Sequence, residues 1–218
     1  LYRELVTDSI WAYQRDHYGY RNLRSFPLLL GFAGLPYVDV RVSFNSFIPA
    51  DLPGALAERL AGYYLERLLA TPSHHDKVEF EIIFSCYSFD LPGRLGALEA
   101  HGFTAAERAQ VASSLRRLTN TVIHGKRGLW RDEIERIAEL ERRRDTLLAA
   151  DLDPVSRLYW LIEDCKRYGT LPFAGLARAG FIAVQLLRSM VATGVLDAEG
   201  YAAFMASLDT VGSRMTRD

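Results

Sequence analysis

A chain of 218 residues, 49% hydrophobic and 24% charged, is long enough to bury a sizeable core and has the composition of a folded globular protein. Lys+Arg 26 against Asp+Glu 27 leaves a formal net charge of -1, which excludes a global basic field for nucleic acid and leaves room only for a local patch. Cys86 and Cys165 are too few for a disulfide scaffold and too far apart for a zinc site. With no visible signal peptide, a reducing cytoplasm is expected.

Residues 1–14, LYRELVTDSIWAYQ, place Leu1, Leu5, Ile10 and Tyr13 near one helical face. A loop dense in arginine and tyrosine follows, RDHYGYRNLRSFP, punctuated by Gly19 and Pro27. PLLLGFA reads as a short strand. YVDVRVSFNSF alternates, with Val38, Val40, Val42 and Phe44 on one side and Asp39, Arg41, Ser43 and Asn45 on the other, the pattern of a half-buried strand. KVEFEIIFSCY repeats it, with Glu79 and Glu81 directed outward. A helix at about 53–69 separates these two strands.

From residue 93 the strand signal stops, and helices are expected near 104–121, 130–149, 154–168, 172–193 and 198–215. Asp51-Leu-Pro, Asp90-Leu-Pro, Asp153-Pro and Thr170-Leu-Pro each set a capping side chain beside a proline of a first helical turn. The apolar run Leu171–Val195 is interrupted by Arg178, Gln185 and Arg188 on one side, so it reads as an amphipathic helix of a soluble protein rather than a membrane span. Gly175, Ala179 and Ala183 give it an edge small enough for close helix contact. The expected fold is α+β and predominantly helical. A small N-terminal β-sheet packs against helices, and the C-terminal half is helical. A single domain spans 1–218, with a mixed part at 1–92 and a helical part at 93–218, and the chain reads as a fragment of a larger one.

No catalytic signature is complete. There is no G-x-S-x-G elbow, no G-x-x-x-x-G-K-[ST] loop and no HExxH, and His74-His75-Asp76 reads as a polar loop. His101 and His124 each precede a glycine and read as helix-end residues. In IERIAELERRRDTLL, Ile134, Ile137, Leu140 and Leu147 form the apolar side, and Asp132 with Arg136 and Glu139 with Arg143 a solvated charged one. All but three basic residues, Lys77, Lys126 and Lys166, are arginine, which suits bidentate contacts to carboxylate or phosphate. The expected anion site uses Arg21 and Arg24 of the loop with Arg41 and Asn45 of the strand. Lys166 and Arg167 are expected to form a collar at the end of helix 154–168, where cations complement the helix dipole.

Four stretches, LYRELVTDSIWAYQRDHYGYRNLRSFPLL, LPYVDVRVSFNSFIPADL, HDKVEFEIIFSCYSFDLP and EDCKRYGTLPFAGLARAGFIAVQLLRS, resemble the middle region of bacterial phosphoenolpyruvate synthase-like proteins. The resemblance covers nearly the whole chain. Such proteins are similar in layout to pyruvate phosphate dikinase and rifampicin phosphotransferase, in which an ATP-grasp domain charges a histidine on a swivelling domain that delivers phosphate to an acceptor. It implies a non-catalytic middle domain that holds a small anionic acceptor or guides the swivelling domain. ATP and Mg²⁺ would be cofactors of the parent protein, and the ATP-grasp and phosphohistidine domains of that chain its partners. This chain shows neither an ATP-grasp pocket nor a Thr-x-His segment, so no catalytic residue carries over. The alternative is a stand-alone interaction or scaffold module without a small-molecule site. Near-neutral charge and the lack of an RNP-type strand argue against RNA, and no membrane partner is expected. Incubated alone with labelled ATP, Mg²⁺ and pyruvate, the chain is expected to label neither itself nor pyruvate; label on either contradicts this reading.

Overall fold

The computed structural model describes residues 2–209. It is 70% helical, with a two-stranded antiparallel sheet near the N-terminus and a helical C-terminal half. A wide π-type turn, Arg3–Thr7, leads into helix α1 (Ile10–His17). Gly19, at φ 90°, turns the chain so that Tyr20 pairs with Pro49 in an isolated bridge. Strands β1 (Leu29–Phe32) and β2 (Leu35–Val38) form a hairpin paired from Leu29 with Val38 to Phe32 with Leu35. Its two turn residues, Ala33 and Gly34, both have positive φ, as the twist of a two-residue hairpin demands. Phe32, Leu35, Tyr37 and Val38 are exposed, so this sheet projects from the helices instead of being buried under them.

The two clear strands expected from alternation are not strands. Val40–Asn45 is a short helix, α2, begun by Asp39, whose Oδ1 accepts from the backbone N–H of Arg41 (2.9 Å) and Val42 (3.1 Å). That cap satisfies two of the four free N–H groups of a helix start, and only Phe44 of the alternating set is buried. Val78–Ile82 is a single π-type turn, and Ile83–Ser88 continues without regular structure. Ile82 to Cys86 are all buried, so the run is apolar because it crosses the core.

Helix α3 (Gly54–Ala70), the short α4 (Leu91–Arg94) with the 3₁₀ turn Leu95–His101, and α5 (Ala105–Ile123) surround that run. The main core joins Phe44, Phe47 and Ile48 to Leu56, Leu60 and Tyr64 of α3, to Ile82–Phe84, and to Val111 and Leu115 of α5. Of the four Asx- or Thr-proline caps expected, only Asp153 caps a helix with its side chain, accepting from Val155 and Ser156. Asp51 bonds instead to Ser114 (2.6 Å) and Arg117 across to α5, and Asp90 accepts from Ser88 (2.6 Å). Thr104, outside that pattern, forms a full capping box with Glu107.

Helices α6 (Leu129–Ala149) and α7 (Pro154–Asp164) are followed by a π-type turn, Cys165–Thr170, then α8 (Leu171–Ala192) and α9 (Ala198–Ser207). Leu1 and the expected end of the last helix, 210–215, lie outside the described residues. Residues 154–192 form one unbroken helical rod, not two helices. The wide turn at 165–170 absorbs Pro172, which lacks an N–H and would clash with the carbonyl of Tyr168 in a regular helix. Thr170 is therefore interior and caps nothing.

The inward face of α8 is Gly175, Arg178, Ile182, Gln185 and Ser189, while Phe173 is 68% exposed. On α6 the buried residue is Glu133, and Ile134 and Ile137 face outward. The expected solvated polar faces of these helices are thus partly the inward ones. On α8 the reason is the segment at 79–89, whose polar groups take Gln185, Ser189 and Arg178 as partners. By length and composition alone, Pro154–Ala192 could cross a membrane. Its polar stripe packs on protein, while most of its apolar residues face outward. Gly175 is where the close approach is tightest: a Cβ there would lie 2.5 Å from Tyr18 Oη and 2.9 Å from Glu133 Oε1. Gly175→Ala is expected to lower unfolding free energy by about 1–3 kcal/mol in urea titration; an unchanged midpoint would show that the contact yields freely.

Candidate functional site

Three of the four expected anion-binding residues come together. The bridge between Tyr20 and Pro49 sets Arg21 beside α2, where its backbone N–H donates to Ile48 O (2.9 Å) and its guanidinium donates through Nη1 to Asn45 Oδ1 (2.9 Å). Asn45 Nδ2 in turn donates to the carbonyl of Arg41, one turn earlier (2.9 Å). Arg41 and Asn45 are therefore about 6 Å apart along a helix, not the two-strand-repeat separation of a sheet. Among the described residues Arg41's guanidinium makes no ion pair. It does not meet Glu79 or Glu81 across a sheet, because there is no sheet there. This small corner, in which the Asn45 amide links the Arg21 guanidinium to the Arg41 backbone, presents N–H donors, and among the described residues neither Arg21 nor Arg41 makes an ion pair.

Arg24 stands apart from that corner. Its Nη2 donates to Asp16 Oδ2 (2.8 Å), its Nε to Asn22 Oδ1 (3.1 Å), and its guanidinium lies 4.6 Å over the ring of Tyr13. It folds back on α1 and fixes the loop. Lys166 and Arg167 are in the middle of the long rod, so they are not a helix-end collar. Lys166 bonds Glu4 (2.6 Å) and Glu163 (2.9 Å), and Arg167 bonds Glu163 (3.0 Å). The two bonds to Lys166 raise its pKa, and the same ammonium, the first of its causes, lowers that of Glu163. These cations are committed to carboxylates.

The histidines occupy local roles. His101 ends the 3₁₀ turn before Gly102 at φ 76°, pairs with Glu66 (3.2 Å) and meets the Tyr63 ring edge-on. His124 Nδ1 accepts from the backbone N–H of Lys126 (3.2 Å) and Arg127 (3.1 Å). Among the described residues no group of three His, Cys, Asp or Glu gathers as for a metal. A cleft of about 420 Å³ lies between α6 and α7, lined by Ile137, Leu140, Leu161 and Asp164, away from the arginine corner.

Sequence reasoning missed a buried ionic cluster. Arg178 is 2% exposed, forms an ion pair with Glu79 and donates through Nη2 to Ser85 Oγ (3.0 Å). Arg15 approaches the same carboxylate at 3.6 Å and lies 4.0 Å over the Phe47 ring. Burial is the main cause that lowers its pKa to about 10, opposed by Glu79 and reinforced by Arg178. Two guanidiniums thus share one carboxylate inside the fold. The signal in the sequence was a lone arginine at the centre of an apolar helix, with Gln185 two turns on.

Comparison with protein-family models, with curated proteins and with solved structures finds no match to this chain. Fold and site together define a predominantly helical α+β protein with an exposed arginine corner and a buried two-arginine cluster behind it. Arg178→Met is expected to destabilise the protein by about 3 kcal/mol, because it leaves Glu79 with only the more distant Arg15. Adding Glu79→Leu should recover most of that loss in urea titration; no recovery would mean that Arg178 acts through packing alone.

Proposed function

We propose that this chain is the non-catalytic middle region of a phosphoenolpyruvate synthase-like, ATP-dependent phosphotransferase of the cytoplasm, and that it holds a small anionic acceptor. The observation that carries this reading is the corner where Arg21 bonds Asn45 one helical turn from Arg41, neither arginine making an ion pair among the described residues. The four stretches quoted above add the family resemblance. Nucleotide, Mg²⁺ and the phosphohistidine belong, on this reading, to other domains of the parent chain. What this chain's residues do is bind and orient: Asn45 fixes the plane of the Arg21 guanidinium, and the Asp39 cap fixes the helix that carries Arg41. Arg24 tethers the loop to Asp16 rather than touching the ligand.

A second reading, an interaction module, is favoured by one observation. Val155, Leu158, Tyr159 and Trp160 on α7 and Phe173 on α8 are exposed together on one rod, more apolar surface than isolated exposed residues supply.

Calorimetric titration of the chain with inorganic phosphate, pyrophosphate and pyruvate tests the first reading. Binding of at least one anion is expected, weakened at least tenfold by Arg21→Gln combined with Arg41→Gln, with thermal stability nearly unchanged. Lys166→Gln with Arg167→Gln should leave binding alone. Anion binding that survives the first pair, or none in the wild type, removes the acceptor-holding role.

A further inference from the structure

The contact that α1 makes with α6 and α8 is buried, polar and underbonded. Thr7 Oγ1, Trp11 Nε1, Gln14 Nε2 and Tyr18 Oη are all buried without a hydrogen-bond partner. Trp11, Gln14 and Tyr18, at α1 and its C-terminal cap, are spaced three and four residues apart on one helical face, and Thr7 ends the π-type turn before them. Opposite them both carboxylate oxygens of Glu133 on α6 lack hydrogen bonds, as does Arg178 Nε on α8. Folded interiors leave few such groups, and most of those in this protein gather on one seam. The seam closes over Gly175, whose missing side chain lets Tyr18 Oη and Glu133 Oε1 reach the same point on α8.

We propose that this seam is a proton-operated latch: it holds α1, and the Arg21–Arg24 loop that follows it, against α6 and α8 when the Glu133 carboxyl is protonated, and loosens them when it is ionised. Glu133 is 0% exposed. The groups that face it are few. Arg136 on its own helix reaches it at 3.5 Å but is itself 40% exposed. Asp132, also on α6, repels it, and α1 contributes the Tyr18 hydroxyl. From α8 it meets uncharged Gly175, and Arg178 one turn on is committed to Glu79. A neutral carboxyl can donate its O–H to Tyr18 Oη and be buried at small cost. An ionised one is a fully buried charge, favoured by the Arg136 guanidinium at 3.5 Å and by the Tyr18 hydroxyl but penalised more by its burial. Burial, the largest cause, accordingly pushes the Glu133 carboxyl above its ordinary value, with Arg136 opposing and Asp132 adding.

The sign follows from linkage. A carboxyl whose pKa is raised by docking favours the docked state fully below the undocked value, and that contribution is lost as pH rises through the docked value. The latch is therefore closed in acid and loosens toward neutrality. Because α1 runs through Tyr18 and Gly19 straight into the arginine loop, and Arg24 is tied to Asp16 of α1 itself, loosening moves helix and loop together. The latch stands whether or not an anion binds at Arg21.

Hydrogen exchange on the full chain, corrected for the intrinsic pH dependence of amide chemistry, tests it. As pH rises above the ordinary glutamate value of 4.5, protection of residues 10–18 should fall, by up to about tenfold per pH unit until the docked carboxyl itself ionises and then levelling off, while that of α3 stays level. Glu133→Gln should abolish the fall. Wild-type protection that follows intrinsic chemistry alone, a fall shared equally by α3, or a Gln variant that keeps the fall would each overturn the latch. If the Gln variant does not fold, Asp132→Asn serves: by removing the repelling anion it should move the fall to lower pH, and an unmoved fall counts against the proposal.

Discussion

A stretch of backbone that belongs to no helix or strand runs through the middle of this protein, and the rest of the structure is arranged to satisfy it. After the π-type turn at Val78–Ile82, the chain from Ile83 to Ser88 passes under α8 and between α3 and α5, with Ile83–Cys86 and Ser88 buried. Side chains take the place of a ladder. Gln185 donates to Glu79 O (3.0 Å), Arg67 to Ile82 O (2.8 Å) and Tyr20 to Ser85 O (2.6 Å). Phe84 N–H donates to Tyr64 Oη (3.2 Å), Tyr87 N–H to Thr119 Oγ1 (2.8 Å) and Phe89 N–H to Ser189 Oγ (3.1 Å). An unbonded peptide group in such a place costs about 1–3 kcal/mol, so these polar residues are structural even though none is charged chemistry in waiting.

That constraint explains why the C-terminal helices present polar faces inward. Arg178, Gln185 and Ser189 on α8 are spaced to meet the buried segment, and the ion pair with Glu79 secures its start. With the polar stripe used inside, the apolar residues of α7 and α8 have nowhere to go but outward. The same rod is stiffened rather than broken at Pro172, since the wide turn before it keeps the helix continuous. Lys166 and Arg167, at that turn, are tied to Glu163 and to Glu4 of the opening segment, which brings the first and the later helices together.

The arginine corner depends on the same core from the other side. Tyr20 is buried under the segment while Arg21, its neighbour, emerges beside α2, so the position of the exposed guanidinium follows from where its buried neighbour is bonded. Arg15, three residues before Tyr18, reaches inward to Glu79, whereas Arg24 turns back to Asp16. Arginines close together in sequence thus end in three different environments, and only burial and partners distinguish them.

The sequence by itself determined the class of the fold, the long helices and several of their ends. Helical periodicity at 54–70, 105–123 and 129–149 is a local property, and so is the Asp153-Pro start of α7. The short strand at 29–32 was legible in PLLLGFA, and Arg21, Arg24, Arg41 and Asn45 were legible as a group of donors, from which only the structure separates Arg24. Alternation at 38–44 and 78–86 was misleading because period two reports only which residues are apolar. A capped helical turn built by Asp39 and an irregular run buried on all sides satisfy the same letters. Which face of α8 looks inward, which carboxylate meets Arg178 and why Glu133 is buried were decided by tertiary structure alone. The groups that settle them lie about a hundred residues away along the chain in the case of Glu79 and Arg178, and no local pattern carries the free energy of satisfying a buried peptide group at that distance.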